Sequence, residues 1–245
     1  MLQTHITKWH GLTFHYRNQS EFELLSREIF EGGEYWFLCD RDDPVILDCG
    51  SHIGLSVAWF KQRFPQARII AFEPDPESFQ LLRTNVAVNG FEGVELLNVA
   101  VASERGTALF YGEFGVAAPM ASAHSLRRDW GTQRSDQSIQ VSTVSLADYI
   151  AGPVDYLKVD IEGAELDVMT SIQPRLPLVA AVGLEFHGTG HQARTDEQEL
   201  VRLLRGAGFD VSITPKTGAI FPSEIGGWVD RVQPYVSVLK ATRPS

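Results

Sequence analysis

Cysteine is scarce: Cys39 and Cys49 are the two thiols in 245 residues. Two thiols are too few for a disulfide framework or a four-thiolate zinc site. Long apolar runs are missing as well. No segment approaches the roughly 18 uninterrupted apolar residues of a membrane-crossing helix. The opening MLQTHITKWHGLTFHYR has no apolar signal core. A soluble chain in a reducing, cytoplasmic setting is therefore expected. Basic residues are few, 21 Lys and Arg against 31 Asp and Glu, for a net charge of −10. That balance speaks against non-specific nucleic-acid binding, which needs basic side chains to displace counterions, and against docking on an anionic membrane. The sequence contains no internal repeat and no low-complexity linker. With 44% hydrophobic and 21% charged residues, it has the makings of a folded core.

From Val45 onward, short apolar runs alternate with helical stretches, the pattern of βαβ units and a parallel sheet. Strands are expected over 45–47, 68–72, 94–101, 105–111, 154–161, 178–187, 209–214 and 235–240. Helices are expected over 54–64, from Pro76 to a stop at Gly90, over 162–171, and over 195–205. The last of these opens on a capping box from Thr195 to Gln198. Before the sheet, 20–31 reads as an amphipathic helix capped by Ser20. This suggests an N-terminal helical extension (1–43) on a cofactor-binding domain (44–245). Residues 113–140, with Trp130, Arg127 and Arg128, read as a lid over an acceptor, and the connector 215–234 as irregular.

Three turns carry chemistry. Asp48-Cys49-Gly50-Ser51-His52-Ile53-Gly54 follows an apolar strand and precedes a helix. Gly50 permits a sharp turn, and Asp48 puts a carboxylate at the strand's C-terminal end, where open α/β sheets bind ligands. Asp48 stands where a dinucleotide loop has its first glycine. A carboxylate there suits a cationic cofactor such as S-adenosyl-L-methionine. Glu73-Pro74-Asp75 ends the next strand, 25 residues after Asp48, the place of an acid that binds ribose hydroxyls. Asn98-Val99-Ala100 closes the third strand.

The later strands end in polar groups. Lys158, Asp160 and Glu162 share one face of an otherwise apolar strand, and ionised groups in a buried strand are costly unless paired. Glu185 and His187 repeat the device before Gly188 and Gly190.

Taken together, VILDCGSHIG, IIAFEPDPESFQLL, Asn98-Val99-Ala100, VSTVSLADYI, DYLKVDIEGAE and GLEFH resemble the FkbM-type S-adenosylmethionine-dependent methyltransferases over roughly residues 20–240. The resemblance implies the class I methyltransferase, Rossmann-like α/β fold: a seven-stranded, mostly parallel sheet with helices on both faces and a reversed final strand. It also implies transfer of a methyl to a hydroxyl of a sugar, polyketide or other secondary metabolite. Asp48, Gly50 and Gly54 would line the methionine moiety, with Ser51 in the same loop. Glu73, beside Pro74, would bind the ribose, Asn98 and Ala100 would border the adenine, and Asp160 would sit near the methyl. Cys49 replaces the more usual aliphatic residue and His52 the more usual asparagine.

Methyl transfer to an alcohol needs alignment and loss of a proton. His187 and Asp160 are the candidate bases, with Glu185 orienting the histidine. A divalent metal on Asp160, Glu162 and His187 is an alternative, but no ligand spacing compels it and none is assigned. Two other readings compete. An NAD-dependent oxidoreductase is disfavoured by the missing first glycine and the lack of a Tyr-x-x-x-Lys pair. A non-catalytic cofactor-binding regulator is disfavoured by the intact acidic set. The acceptor itself is not encoded in any recognisable motif.

Overall fold

The computed structural model describes residues 4–112, 114, 124–128, 137–188, 194–216 and 235–244. Most of the expected lid and of the connector after Lys216 lies outside the described residues.

Strands β3 (Val45–Cys49), β4 (Arg68–Phe72), β5 (Val94–Leu97), β9 (Val154–Val159), β10 (Val179–Gly188), β11 (Asp210–Pro215) and β12 (Tyr235–Thr242) form one sheet, in the order β11-β12-β10-β9-β3-β4-β5. The pairs from β10 to β5 are parallel, and β12 runs antiparallel to both β10 and β11. This is the expected seven-stranded sheet with a reversed final strand.

Strand alternation splits the core into two layers. Leu47 and Leu157 face one cluster, with Val168 and Met169 of α4 (Glu165–Ser171) and Leu200 and Leu204 of α5 (Arg194–Gly206). Ile46 and Tyr156, one residue earlier on the same strands, face the other. That second layer contains Trp59 and Phe60 of α2 (Leu55–Arg63) and Leu82 of α3 (Pro76–Val88). Both faces are thus covered, which is why the strands are apolar throughout. Among the described residues, no helix is long and apolar enough to cross a membrane.

Several local expectations are corrected. The N-terminal extension is not helical throughout. It opens with a hairpin of β1 (His5–Trp9) and β2 (Leu12–Tyr16), joined by His10 and Gly11 at φ 49° and 81°. Both turn residues are left-handed, as a two-residue hairpin turn requires. The alternation of buried Phe14 and Tyr16 was the available signal. The helix α1 (Gln19–Ser26) follows and is capped by Asn18, which accepts from Glu21 N, rather than by Ser20. A π-turn over 27–31 closes on Gly32. Phe14, Tyr16 and Phe22 share the core layer of Ile46 and Phe60.

The single strand expected over 94–101 is two strands broken at Asn98. Beyond it, β6 (Ala100–Ala102) leaves for a small sheet with β8 (Ser138–Ser145) and β7 (Gly106–Tyr111). Helix α4 begins three residues later than expected. Glu162 and Gly163 sit at φ 52° and 101°, and two left-handed residues cannot start a right-handed helix. Helix α5 includes Arg194, so Thr195 lies inside its first turn instead of capping it.

Candidate active site

The C-terminal ends of β3, β4, β9 and β10 bring most of the sequence-derived site residues to one edge. The turn after β3 is fixed by its backbone: Gly50 N and Ser51 N both donate to Phe72 O, at 3.1 and 3.0 Å. Gly50 has φ 82° and lies against the backbone of Asp160. Asp160 N donates back to Cys49 O at 3.1 Å. The loop after β3 and the end of β9 are therefore one rigid unit. Burial pushes the Cys49 thiol up, so it stays a neutral, core-filling group.

Asp48 is 0% exposed. Its Oδ2 accepts from Ser56 Oγ at 2.6 Å, and its Oδ1 has only an ion pair with Lys158 Nζ at 3.4 Å. Lys158 is the hub of the site. Its Nζ donates to Gly50 O at 2.6 Å, pairs with Asp160 Oδ2 at 3.4 Å, and stands 5.1 Å from the Tyr35 ring centre. Burial lowers its pKa, but Asp160, Asp48 and Glu185 outweigh burial and raise it, so the ammonium stays charged.

Glu73 is buried at the end of β4. It accepts from His52 N and Asp75 N, both at 2.8 Å. Asn98 Nδ2 donates to Glu73 O at 2.8 Å and to Pro74 O at 3.1 Å, so Asn98 braces this turn. Ala100 is buried in the small sheet beside Phe110 and Val141. Asp75 caps α3 and faces His124 Nδ1 at 3.5 Å.

Burial and the neighbouring Asp75 push the Glu73 carboxyl up to about 8, against its two N–H donors and Lys158. The folded chain thus keeps a proton that the unfolded chain releases near 4.5. Stability from this group is complete at low pH and is lost as pH rises to about 8. Glu73→Gln should gain melting temperature relative to the parent as pH goes from 5 to 8. A difference that does not change with pH would show that Glu73 titrates normally.

His187 differs most from expectation. Its Nδ1 meets Glu165 Oε1 at 3.0 Å. Its Nε2 faces Glu162 Oε1 at 3.3 Å, Asp160 Oδ1 at 3.8 Å and Glu185 Oε2 at 4.0 Å. Burial lowers its pKa, but Glu162, Glu165 and Asp160 win and raise it well above 6.5. A raised pKa favours the protonated ring over a base poised near neutral pH, unless a cation takes the place of the Nε2 proton. The orienting role is corrected: Glu165, 0% exposed, holds the ring at Nδ1, whereas Glu185 does not. Glu185 instead binds Lys216 Nζ through both oxygens, at 3.2 and 3.1 Å, and lies 3.4 Å from Tyr35 OH.

Sequence reasoning missed Tyr35, Glu34, Glu165 and Lys216. Tyr35 OH reaches both Asp160 Oδ2 and Glu185 Oε1 at 3.4 Å. Lys216 also pairs with Glu28 at 3.0 Å and Glu34 at 3.1 Å. Burial and Glu185 together push the Glu34 carboxyl up to about 9. Glu165 was visible as the last acid of K-x-D-x-E-G-x-E, three residues beyond Glu162. Tyr35 and Lys216 come from distant segments and carry no local signal. The 162–163 turn is pinned by Ser125 Oγ to Glu162 O at 2.6 Å and by Arg127 Nε to Gly163 O at 2.5 Å.

The sheet order and the solved structures it resembles define the class I, Rossmann-like methyltransferase fold. More narrowly, the chain belongs to the family of the methyltransferase FkbM domain, whose sequence profile matches residues 48–211. It is 29% identical over 230 residues to the 31-O-demethyl-FK506 methyltransferase FkbM of Streptomyces tacrolimicus, covering 82% of this chain and 86% of that one. Among solved structures it is similar to the methyltransferase FkbM of Methylobacillus flagellatus KT, with TM-score 0.54 and 17% identity. That match covers 88% of this chain but 47% of that one. It also resembles M. jannaschii TYW2 in complex with AdoMet, with TM-score 0.53 and 11% identity over 98% and 87% of the two chains.

Proposed function

We propose that the chain is an S-adenosyl-L-methionine-dependent O-methyltransferase whose acceptor is a small hydroxylated molecule such as a sugar, polyketide or other secondary metabolite. The observation that carries the reading is the row of acids at adjoining strand ends: Asp48 on β3, Glu73 after β4, Asp160 after β9 and Glu185 on β10. A cationic nucleoside cofactor fits this donor set. Asp48 Oδ1 is buried without a hydrogen bond, and Glu73 keeps lone pairs for ribose hydroxyls beyond those used by its two N–H donors. Relatives support the transfer to oxygen: one is a 31-O-demethyl-FK506 methyltransferase and another, 28% identical, a 2-O-methyltransferase, NoeI. An NAD-dependent oxidoreductase finds no support among them.

Asp48, Gly50, Ser51 and Gly54 hold the methionine end, Glu73 and Pro74 the ribose, and Asn98 and Ala100 the adenine side. Bound there, S-adenosylmethionine supplies a methyl on a cationic sulfur, already activated for displacement. The chain's own work is alignment, which contributes about 7–11 kcal/mol in well-oriented reactions, and handling of the hydroxyl proton. Asp160 is the acceptor of that proton. Its side chain is 24% exposed, the most open of the carboxylates around His187. Lys158 and Tyr35 hold its Oδ2, which leaves Oδ1, 3.8 Å from His187 Nε2, to take the proton. His187, held by Glu165 at Nδ1, keeps the surrounding carboxylates in place.

Incubation with methyl-labelled cofactor and a panel of hydroxylated acceptors tests the reading. In calorimetry at pH 9, where Glu73 is ionised, Glu73→Ala should lose about 1.5–3 kcal/mol of cofactor affinity, the range for a hydrogen bond to a charged group. Unchanged affinity would remove Glu73 from the site. Tighter binding of NAD than of S-adenosylmethionine would remove the whole reading.

A further inference from the structure

We infer that Asp160, Glu185 and His187 form a binding site for one divalent first-row transition-metal ion. The donors are an imidazole nitrogen and two carboxylate oxygens from the ends of adjacent strands, all within 4.8 Å of one another. His187 Nε2 lies 3.8 Å from Asp160 Oδ1 and 4.0 Å from Glu185 Oε2. These separations are too long for direct hydrogen bonds. They match two ligands of one ion, since atoms bonded at about 2.0–2.2 Å stand roughly 3–4.4 Å apart across it.

The surroundings of the donors point the same way. Metal-ligating histidines donate their other ring nitrogen to a carboxylate or carbonyl. Here Nδ1 meets Glu165, whose two oxygens are in turn fixed by Gly163 N at 3.0 Å each. The two carboxylates are oriented in a similar way. Tyr35 OH and Lys158 Nζ hold Asp160 Oδ2, and Tyr35 OH with Lys216 Nζ hold Glu185 Oε1. On these two carboxylates the oxygens that face Nε2 are thus Asp160 Oδ1 and Glu185 Oε2, and Glu162 Oε1 stands nearer still, at 3.3 Å. Glu185 Oε2 also meets Lys216 at 3.1 Å, and one oxygen has lone pairs for both partners.

Four carboxylates (Asp160, Glu162, Glu165 and Glu185) stand within 4.0 Å of this one ring. Lys158 and Lys216 offset Asp160 and Glu185 but are shared with Asp48 and Glu28, so negative charge remains in excess, which is costly without a further counter-ion. Glu185 and His187 are buried, whereas Asp160 keeps an open side, so the ion would face the cleft. One nitrogen and two oxygens suit Mn²⁺, Fe²⁺, Co²⁺ or Zn²⁺, and the absence of a thiolate disfavours Cu⁺. An ion there would lower the pKa of a hydroxyl bound to it, and would replace Asp160 Oδ1, then a ligand, as the means of releasing the hydroxyl proton. That use rests on the methyl-transfer reading, whereas the binding site does not.

The full chain, stripped with a chelator and dialysed, is titrated with Mn²⁺, read by loss of the free-ion magnetic resonance signal, and with Co²⁺, read by visible absorption. One ion per chain is expected. Glu165→Gln, an orienting position, should weaken it about 10–100-fold, and His187→Gln and Glu185→Gln by at least as much, with folding checked by circular dichroism. If a variant does not fold, X-ray absorption of the Co²⁺-loaded parent must show one imidazole nitrogen among oxygens. Failure to bind either ion stoichiometrically, parent-like binding by all three folded variants, or a Co²⁺ shell without nitrogen overturns the site. The two readings fail separately. Methyl transfer undiminished in chelator, with no ion bound, sinks the metal and leaves the transferase. Stoichiometric metal without cofactor binding does the reverse.

Discussion

Lys158→Met should cost about 3–5 kcal/mol of unfolding free energy, the range for removing one partner from a buried ion pair. Domains of this kind have about 5–15 kcal/mol in total, so the loss is severe. Lys158 is 2% exposed, and its ammonium is the cation between Asp48 and Asp160, at 3.4 Å from each. Its hydrogen bond to Gly50 O at 2.6 Å ties β9 to the loop after β3. Methionine keeps the length of the side chain, so the loss reflects charge more than volume. A shift of the urea midpoint with unchanged slope would report it. Adding Asp48→Asn should restore part of the stability, because the stranded carboxylate disappears. The Lys158 pKa is raised in the folded chain, so its contribution is complete through neutral pH and declines only above about 10.5. A loss under about 1 kcal/mol would mean that water or rearrangement solvates the two acids.

Periodicity made the large sheet legible. Its strands are apolar on both faces, and Gly50, Pro76 and Gly90 mark turns with little ambiguity. The same signal failed where a strand changes sheets. Residues 94–101 look continuous because β5 and β6 are both apolar, and the break at Asn98 depends on tertiary bonds to Glu73 and Pro74. The hairpin of residues 5–16 was overlooked because the His10-Gly11 turn lacks the usual Asn-Gly or Asp-Gly pair.

For the site, strand ends revealed Asp48, Glu73, Asp160, Glu185 and His187, because polar groups in buried strands demand an explanation. They did not reveal how these groups pair. Strand alternation puts Glu185 and His187 on one face, which suggested that Glu185 orients the ring. That role goes to Glu165, placed under His187 by the left-handed turn at Glu162 and Gly163. A turn of that shape is a tertiary choice that spacing alone does not give. Tyr35 and Lys216 enter from the N-terminal extension and from the segment after β11, far from the motifs in sequence. The raised pKa of His187 follows from these placements, so it too required the structure.

Gly50→Ala should lower turnover by about 10²-fold, whereas Gly54→Ala should keep most of it. Both glycines have left-handed backbones, φ 82° and 89°, so an added side chain strains each by a similar amount, about 1–3 kcal/mol. Their neighbours differ. A Cβ at position 50 would stand 1.8 Å from Asp160 O, a backbone atom. Since real Cβ contacts begin near 3.0 Å, the loop and the end of β9 must separate by 3.0 − 1.8 = 1.2 Å. That hinge is held by Asp160 N to Cys49 O and by Lys158 Nζ to Gly50 O, so it cannot open without moving Asp160 away from the glycine loop. A displacement of about 1 Å between reacting groups is worth about 10²-fold in rate. A Cβ at position 54 would meet Leu82 Cδ1 at 2.7 Å, the end of a side chain that can turn aside. Turnover at saturating cofactor, compared at matched distance below each variant's melting temperature, separates the two effects. Equal losses in both variants would assign the cost to left-handed backbone strain alone and would dissolve the link between the glycine loop and Asp160.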